Sequence, residues 1–391
     1  MTVAAKDETY LIEMRLFGSF VAVLSALVSA AAAAPSVLCI GETLFDGLPS
    51  AIYLGGAPLN VACHLAQAGV RARYLSAVGH DRLGTEAVRR LQAQGVDTDL
   101  IVQVREAETG FVTVELDRSG DASYTFVTPA AWDFIPTAGA AAAAKSADAL
   151  VFGSLGMRAE GSRAAIRAAA AAASFAVCDI NLRPPFVEAA VVADAARSAD
   201  LLKLNDEELV PLASMLLETT EAGPNRELAA AALAAAQAAE RAAAAPNTAP
   251  STDGEVGGDE ATRAVARAAA SIGAALRRAS SVVVTRGARG AVLWQSTKLT
   301  RSGDEQSTKL TRSGDEDGSK GGGEYAGRAY GCDGFVAPNT PGGGQADTVG
   351  AGDAFLAALL AAMLREGAVP SASAALEAGC RLGAYVAGED P

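Results

Sequence analysis

The chain has 391 residues, half of them hydrophobic, and a formal net charge of −13. That is ample apolar material for a sizeable core, while so acidic a total argues against nucleic acid as a ligand, because a phosphate backbone calls for a basic surface. A nucleotide is still compatible, since magnesium and a few local donors neutralise its phosphates.

In chain order, Arg15 precedes an alanine-rich apolar stretch from Leu16 to Ala34 that ends at Pro35. This reads as a targeting leader or an N-terminal extension, although Asp7, Glu8 and Glu13 are unusual in a transit peptide. Alanine is only mildly apolar and the length is marginal, so no stable membrane insertion is expected and the location is read as cytoplasm or plastid. Residues 36–391 are expected to form one domain. Val37 to Ile40 reads as a buried strand. Gly47 to Leu54 and Gly110 to Val127 read as exposed strands, with Val112, Val114 and Leu116 alternating with Thr113, Glu115 and Asp117. Asp117 to Asp121 supplies a hairpin turn. Helices are expected over Asn60 to Ala68 and Thr85 to Gln94, and core strands at Val151–Phe152, Ala176–Ile180, Leu201–Leu204 and Val282–Thr285. Each of these strands is followed by a loop and a helix-like run, which implies an α/β fold with a doubly wound, mostly parallel sheet.

Two segments interrupt this pattern. Residues 219–270 are alanine-rich with a polar middle and read as a helical excursion. Residues 295–305 and 306–316 are a perfect tandem repeat, QSTKLTRSGDE, followed by a glycine-rich run, so residues 295–326 read as a hairpin insertion between two late strands. A buried unit would need new packing partners for its second copy, whereas a solvated loop does not. Deleting residues 306–316 is therefore expected to leave the melting temperature nearly unchanged and turnover within about twofold, as for most surface changes. A large fall in melting temperature would show that the repeat packs on the core.

The chemistry-bearing stretch is Asp347-Thr348-Val349-Gly350-Ala351-Gly352-Asp353-Ala354-Phe355. Phe355, Leu356, Leu359, Leu360 and Met363 recur at helical spacing, which places Gly350, Ala351 and Gly352 at a helix N-terminus, where free N–H groups and the helix dipole favour an anion. Asp353 beside that site could accept a hydroxyl proton or could simply be a helix cap. There is no GxxxxGK[ST] sequence and no protein-kinase motif set. The five cysteines, Cys39, Cys63, Cys178, Cys332 and Cys380, lack CxxC spacing and are expected to be free thiols; His64 and His80 alone do not make a zinc site.

This stretch resembles the C-terminal signature of the PfkB (ribokinase-like) family of sugar and nucleoside kinases. Gly41-Glu42-Thr43-Leu44-Phe45-Asp46, Gly55-Gly56-Ala57-Pro58-Leu59-Asn60, Val78-Gly79-His80-Asp81-Arg82-Leu83-Gly84, Asp179-Ile180-Asn181-Leu182-Arg183-Pro184, Asn205-Asp206-Glu207-Glu208 and Thr285-Arg286-Gly287-Ala288-Arg289-Gly290 resemble further family motifs in family order. The GGAP form is most similar to fructokinases. The resemblance implies a small β-sheet lid and ATP-dependent phosphorylation of a sugar, fructose foremost, with Asp353 as general base. It implies Asp46, Gly55, Gly56 and Asn60 at the sugar, and Asn181, Thr285, Gly287 and Gly290 at ATP. Asn205 and Glu208 would act on Mg²⁺ through water, Asp347 on a monovalent cation such as K⁺, and the lid could serve a homodimer. A nucleoside kinase, or an inactive fructokinase-like assembly protein, remains open. Thr128-Pro129-Ala130-Ala131-Trp132-Asp133 lacks the Arg usual in fructokinases after the lid strands, which leaves the sugar's identity open.

Overall fold

A computed structural model describes residues 34–47, 51–116, 122–244, 259–276, 278–296, 327–333, 350–365 and 372–387. Val37, Leu38, Cys39 and Ile40 are wholly buried, as a short apolar run between Pro35 and Gly41 would be in a sheet covered on both faces. This strand, β1 (Ser36–Ile40), pairs in parallel with β4 (Arg71–Gly79) on one side and β8 (Ala149–Gly153) on the other. Beyond β4 lies β5 (Ile101–Val104), also parallel. Beyond β8 follow β9 (Ala176–Asp179), β10 (Leu201–Asn205) and β11 (Ser281–Thr285), all parallel. The antiparallel strands β12 (Ala291–Ser296) and β13 (Gly327–Cys332) complete that edge.

Helices cover both faces. On one face α1 (Ala57–Gln67), α2 (Arg82–Ala93), α9 (Ala351–Leu364) and α10 (Ala372–Ala387) contribute Leu59, Leu65, Leu91, Leu356 and Leu376 to a core with Val37, Val151 and Val283. On the other face lie α3 (Ala140–Lys145), α4 (Glu160–Ala172), α5 (Ala189–Arg197), α6 (Leu209–Glu218), α7 (Pro224–Ala244) and α8 (Glu260–Ala275). The expected excursion is thus two helices, α7 and α8, with residues 245–258 outside the described set. Buried Ala229, Ala232, Ala236 and Ala239 at helical spacing explain how α7 packs with so few large side chains.

The second sheet contains β2 (Leu44–Gly47), β3 (Ile52–Gly55), β6 (Gly110–Leu116) and β7 (Ala122–Phe126), in the order β3-β2-β6-β7. The stretch 47–54, expected as one strand, instead divides between β2 and β3, which pair antiparallel. Gly47, Pro49 and Ser50 are turn formers and outweigh the apolar residues around them. The helix expected from Asn60 begins three residues earlier, because Pro58 suits a first turn, where its missing N–H goes unneeded. Ser296 pairs with Gly327 across β12 and β13, so the ends of the insertion do meet in a hairpin. The tandem repeat from residue 297 onward lies outside the described residues, as do the N-terminal stretch to residue 33 and the turn 117–121.

Candidate active site

The named motifs converge at the carboxyl ends of the parallel strands, beside β1, where the chain turns to opposite sides of the sheet; such a point is where open α/β sheets bind ligands. After β1 the backbone is pinned from β4: Tyr74 Oη donates to Glu42 O at 2.5 Å and Ser76 Oγ to Gly41 O at 2.7 Å. Glu42, 2% exposed, accepts the Ala57 N–H at 3.1 Å through Oε1, tying this turn to the start of α1. Gly56 has φ 128°, and a Cβ there would stand 2.2 Å from Glu42 O. A Cβ on Gly55 would stand 2.4 Å from Asp46 Oδ2. The two glycines therefore let the loop close over the Glu42 carbonyl and the Asp46 carboxylate. Burial raises Asp46 above the usual carboxylate range, with Arg183 opposing the shift.

At the other end of the sequence Gly350, with φ 78°, caps α9 and sets Asp353 in its first turn. Asp353 is 7% exposed, and Asn60 Nδ2 donates to its Oδ2 at 2.9 Å. Burial, then the nearby Asp179 charge, pushes the Asp353 carboxyl up to about 7, against Lys203, Asn60 and Arg183. A carboxyl so held is matched to proton abstraction near neutral pH. The Asp353 N–H itself donates to Gly350 O at 3.1 Å. That N–H is thus committed inside the helix, and those of Ala351 and Gly352 precede it.

The motif reading gave no role to the pair beneath Gly352. Lys203 Nζ donates to Asp179 Oδ2 at 2.7 Å, with both side chains buried. A Cβ on Gly352 would lie 2.9 Å from that ammonium. Asp179 and Asp353 together hold Lys203 charged against the cost of its burial. A signal was present in the sequence: one lysine inside the apolar run Leu201-Leu202-Lys203-Leu204 of a strand buried on both faces.

On the neighbouring strand ends, Asn205 and Glu208 form a reciprocal cap. Asn205 Oδ1 accepts the Glu208 N–H and Glu208 Oε2 accepts the Asn205 N–H, each at 2.9 Å. Glu208 Oε1 also accepts the Leu182 N–H at 2.6 Å. Asn181 holds φ 41°, a value uncommon away from glycine that asparagine tolerates better than most residues. Thr285 stands in register with Asn205, and Gly287 and Gly290, both at positive φ, shape the turn that follows. Arg289 pairs with Asp206 across these two turns. Asp347 lies outside the described residues.

Among the described residues no cluster of three or more His, Cys, Asp or Glu side chains could hold a metal by itself. Buried Asp179 Oδ1 has no hydrogen-bond partner, however, and Glu208 feels the Asp179 charge. That donor set fits an Mg²⁺ kept largely by water and phosphate oxygens.

Fold and site together define a ribokinase-like α/β protein with a buried carboxyl in the first turn of a helix. Residues 50–244 match the model of the pfkB family carbohydrate kinases. The chain belongs to that family. It is 32% identical over 189 residues to a fructokinase of Vibrio alginolyticus, covering 46% of this chain and 61% of that protein. The chain thus spans about three-fifths of the length of the curated relatives it matches. In fold it is similar to the fructokinase of Xylella fastidiosa with bound ATP (TM-score 0.61, 22% identity, 91% of this chain and 92% of that one). It is also similar to a protein described as ribokinase II from Escherichia coli, in complex with ATP and Mg²⁺ (TM-score 0.60, 17% identity, 91% and 94%).

Proposed function

We propose that this protein transfers the γ-phosphoryl group of ATP to a sugar hydroxyl, with fructose to fructose 6-phosphate as the leading reaction. The observation that carries this reading is Asp353: a buried carboxyl in the first turn of α9, held by Asn60, at a helix N-terminus suited to a phosphate. Asp353 takes the proton of the attacking hydroxyl. The N–H groups of Ala351 and Gly352 face the charge that develops on the transferring group. Asp46 and the Gly55–Gly56 backbone hold sugar hydroxyls, and Asn60 orients the base. Asn181, Thr285, Gly287 and Gly290 line the nucleotide. Asn205, Glu208 and Asp179 would hold Mg²⁺ through water; when bound, the ion offsets phosphate charge. Asp347 is proposed for a monovalent cation. The exposed Ile52 and Tyr53 of β3 support a homodimer through the lid. Among the described residues no helix is long and apolar enough to cross a membrane.

Mg-ATP with a panel of sugars and nucleosides tests this reading: phosphorylation of a neutral hexose is expected, and turnover of nucleosides alone would replace it. Because only the ionised Asp353 accepts a proton, kcat/KM for the sugar should rise about tenfold per pH unit below about 7 and level off above it. Glu42, likewise pushed up to about 7 by burial, titrates in the same window, so the profile is to be compared with that of Glu42→Gln. A profile flat from pH 5 to 9, with chemistry rate-limiting, would remove Asp353 as the base.

Asp46→Ala should weaken sugar binding and leave ATP binding close to normal. Calorimetric titration with each ligand separates the two. Lost ATP affinity with intact sugar binding would put Asp46 on the wrong side of the cleft.

A further inference from the structure

The turn after β8 carries a guanidinium that none of the roles above uses. Arg158 donates from Nε and Nη2 to Oδ1 and Oδ2 of Asp133, both at 2.8 Å, and both side chains are 8% exposed. Its Cζ lies 3.7 Å from the ring centroid of Trp132 and 4.4 Å from that of Phe186. Phe186 in turn meets Phe126, at the end of β7, edge to face at 5.4 Å. The second sheet, the turn after β8 and the Asn181–Phe186 segment after β9 are thereby drawn together around one cation. Aromatic packing and a two-point carboxylate fix its plane.

Nη1 of this fixed cation is buried and has no hydrogen-bond partner. Glu42 Oε2 is in the same condition, and it lies 3.4 Å from the place of a Cβ on Gly156, two residues before Arg158. Native structures rarely leave buried polar atoms unpaired, and a pair kept only for packing could be replaced by apolar residues of similar size. One free donor and one free acceptor beside the same turn suit a ligand that offers both. Asp133 already neutralises Arg158, and Glu42 disfavours an added carboxylate, so the fitting ligand is an uncharged polyol.

We infer that Arg158 is a specificity-determining residue whose Nη1 donates to a hydroxyl oxygen of a neutral sugar, with Glu42 Oε2 accepting from the same molecule. This rests on the sugar-kinase reading above and adds the residue that selects the sugar.

The experiment compares wild type and Arg158→Lys on the neutral sugar of highest kcat/KM, on its monodeoxy analogues and on a sugar acid, with the KM for ATP and the melting temperature measured alongside. Wild type should lose about tenfold or more in kcat/KM on one analogue, as expected for a hydrogen bond to a charged donor. Arg158→Lys should lose a similar factor on the parent sugar and show no further loss on that analogue. Its KM for ATP should stay within about twofold. An equal loss across the whole series, or no loss, overturns the assignment and makes Arg158 structural. If Arg158→Lys does not fold, Asp133→Asn keeps the guanidinium while loosening its plane; the analogue penalty should then shrink, and an unchanged penalty overturns the proposal. Turnover of a sugar acid but of no neutral sugar overturns the neutral-ligand inference alone. Turnover of no sugar of either kind overturns the kinase reading with it.

Discussion

Asp353→Asn is expected to lower turnover by about 10²- to 10⁴-fold, the usual worth of a general base. Asparagine keeps the shape of the side chain, and its oxygen can still accept from Asn60 Nδ2, so the site should stay assembled. Stability separates loss of chemistry from loss of fold. The folded-state carboxyl is raised from 3.8 to about 7, so the wild type loses stability as pH climbs from about 4 to about 7, where the unfolded chain ionises and the folded one resists. The asparagine variant carries no such penalty. Its melting temperature at pH 8 should therefore equal or exceed that of the wild type, while at pH 4 the two converge. A variant that keeps more than roughly a tenth of wild-type turnover, with chemistry rate-limiting, would sink the assignment.

Lys203→Met should be the most damaging change to the floor of the site. Removing one partner of a buried ion pair leaves the other charge uncompensated and typically costs about 3–5 kcal/mol. Here Asp179 would be left 3% exposed, with one oxygen already unpartnered. The drop should appear as a fall of several degrees in melting temperature together with loss of transfer activity. The double variant Asp179→Asn/Lys203→Met removes the stranded charge and should recover much of the stability but not the activity. Chemical denaturation of the three proteins tests this, and a single variant as stable as wild type would show that Lys203 is not charged in the folded chain.

Much of this arrangement could be read from the sequence, and the exceptions share a cause. Contiguous signals were readable: Gly350 to Asp353 ahead of an apolar run, Gly55–Gly56 before Pro58, and the apolar cores of β1, β8, β10 and β11. Each is a short pattern whose physics is local. Asn60 was assigned to the sugar by resemblance, and only three dimensions show that its amide meets Asp353, from 293 positions away. Arg158 and Asp133 are unremarkable in sequence, and the free Nη1 becomes visible only once Trp132 and Phe186 are seen to pack against the guanidinium. The stretch 47–54, read as one strand, divides between β2 and β3, and Gly47 and Pro49 are the local turn signals for that division. Lys203 was the readable signal left unread, since a charge inside a buried strand calls for a partner.

The hydrogen bond from Asn60 to Asp353 also bears on how the protein is made. A ribosome delivers Asn60 ahead of Asp353 by 293 residues. The parallel strands of the large sheet, β1, β4, β5 and β8 to β11, are complete before residue 286, so that much of the sheet can be in place while Asp353 is still unsynthesised. On the proposed function, a chain cut before α9 lacks its base. Transfer, on that same proposal, begins only once α9 has docked and brought Asp353 to Asn60.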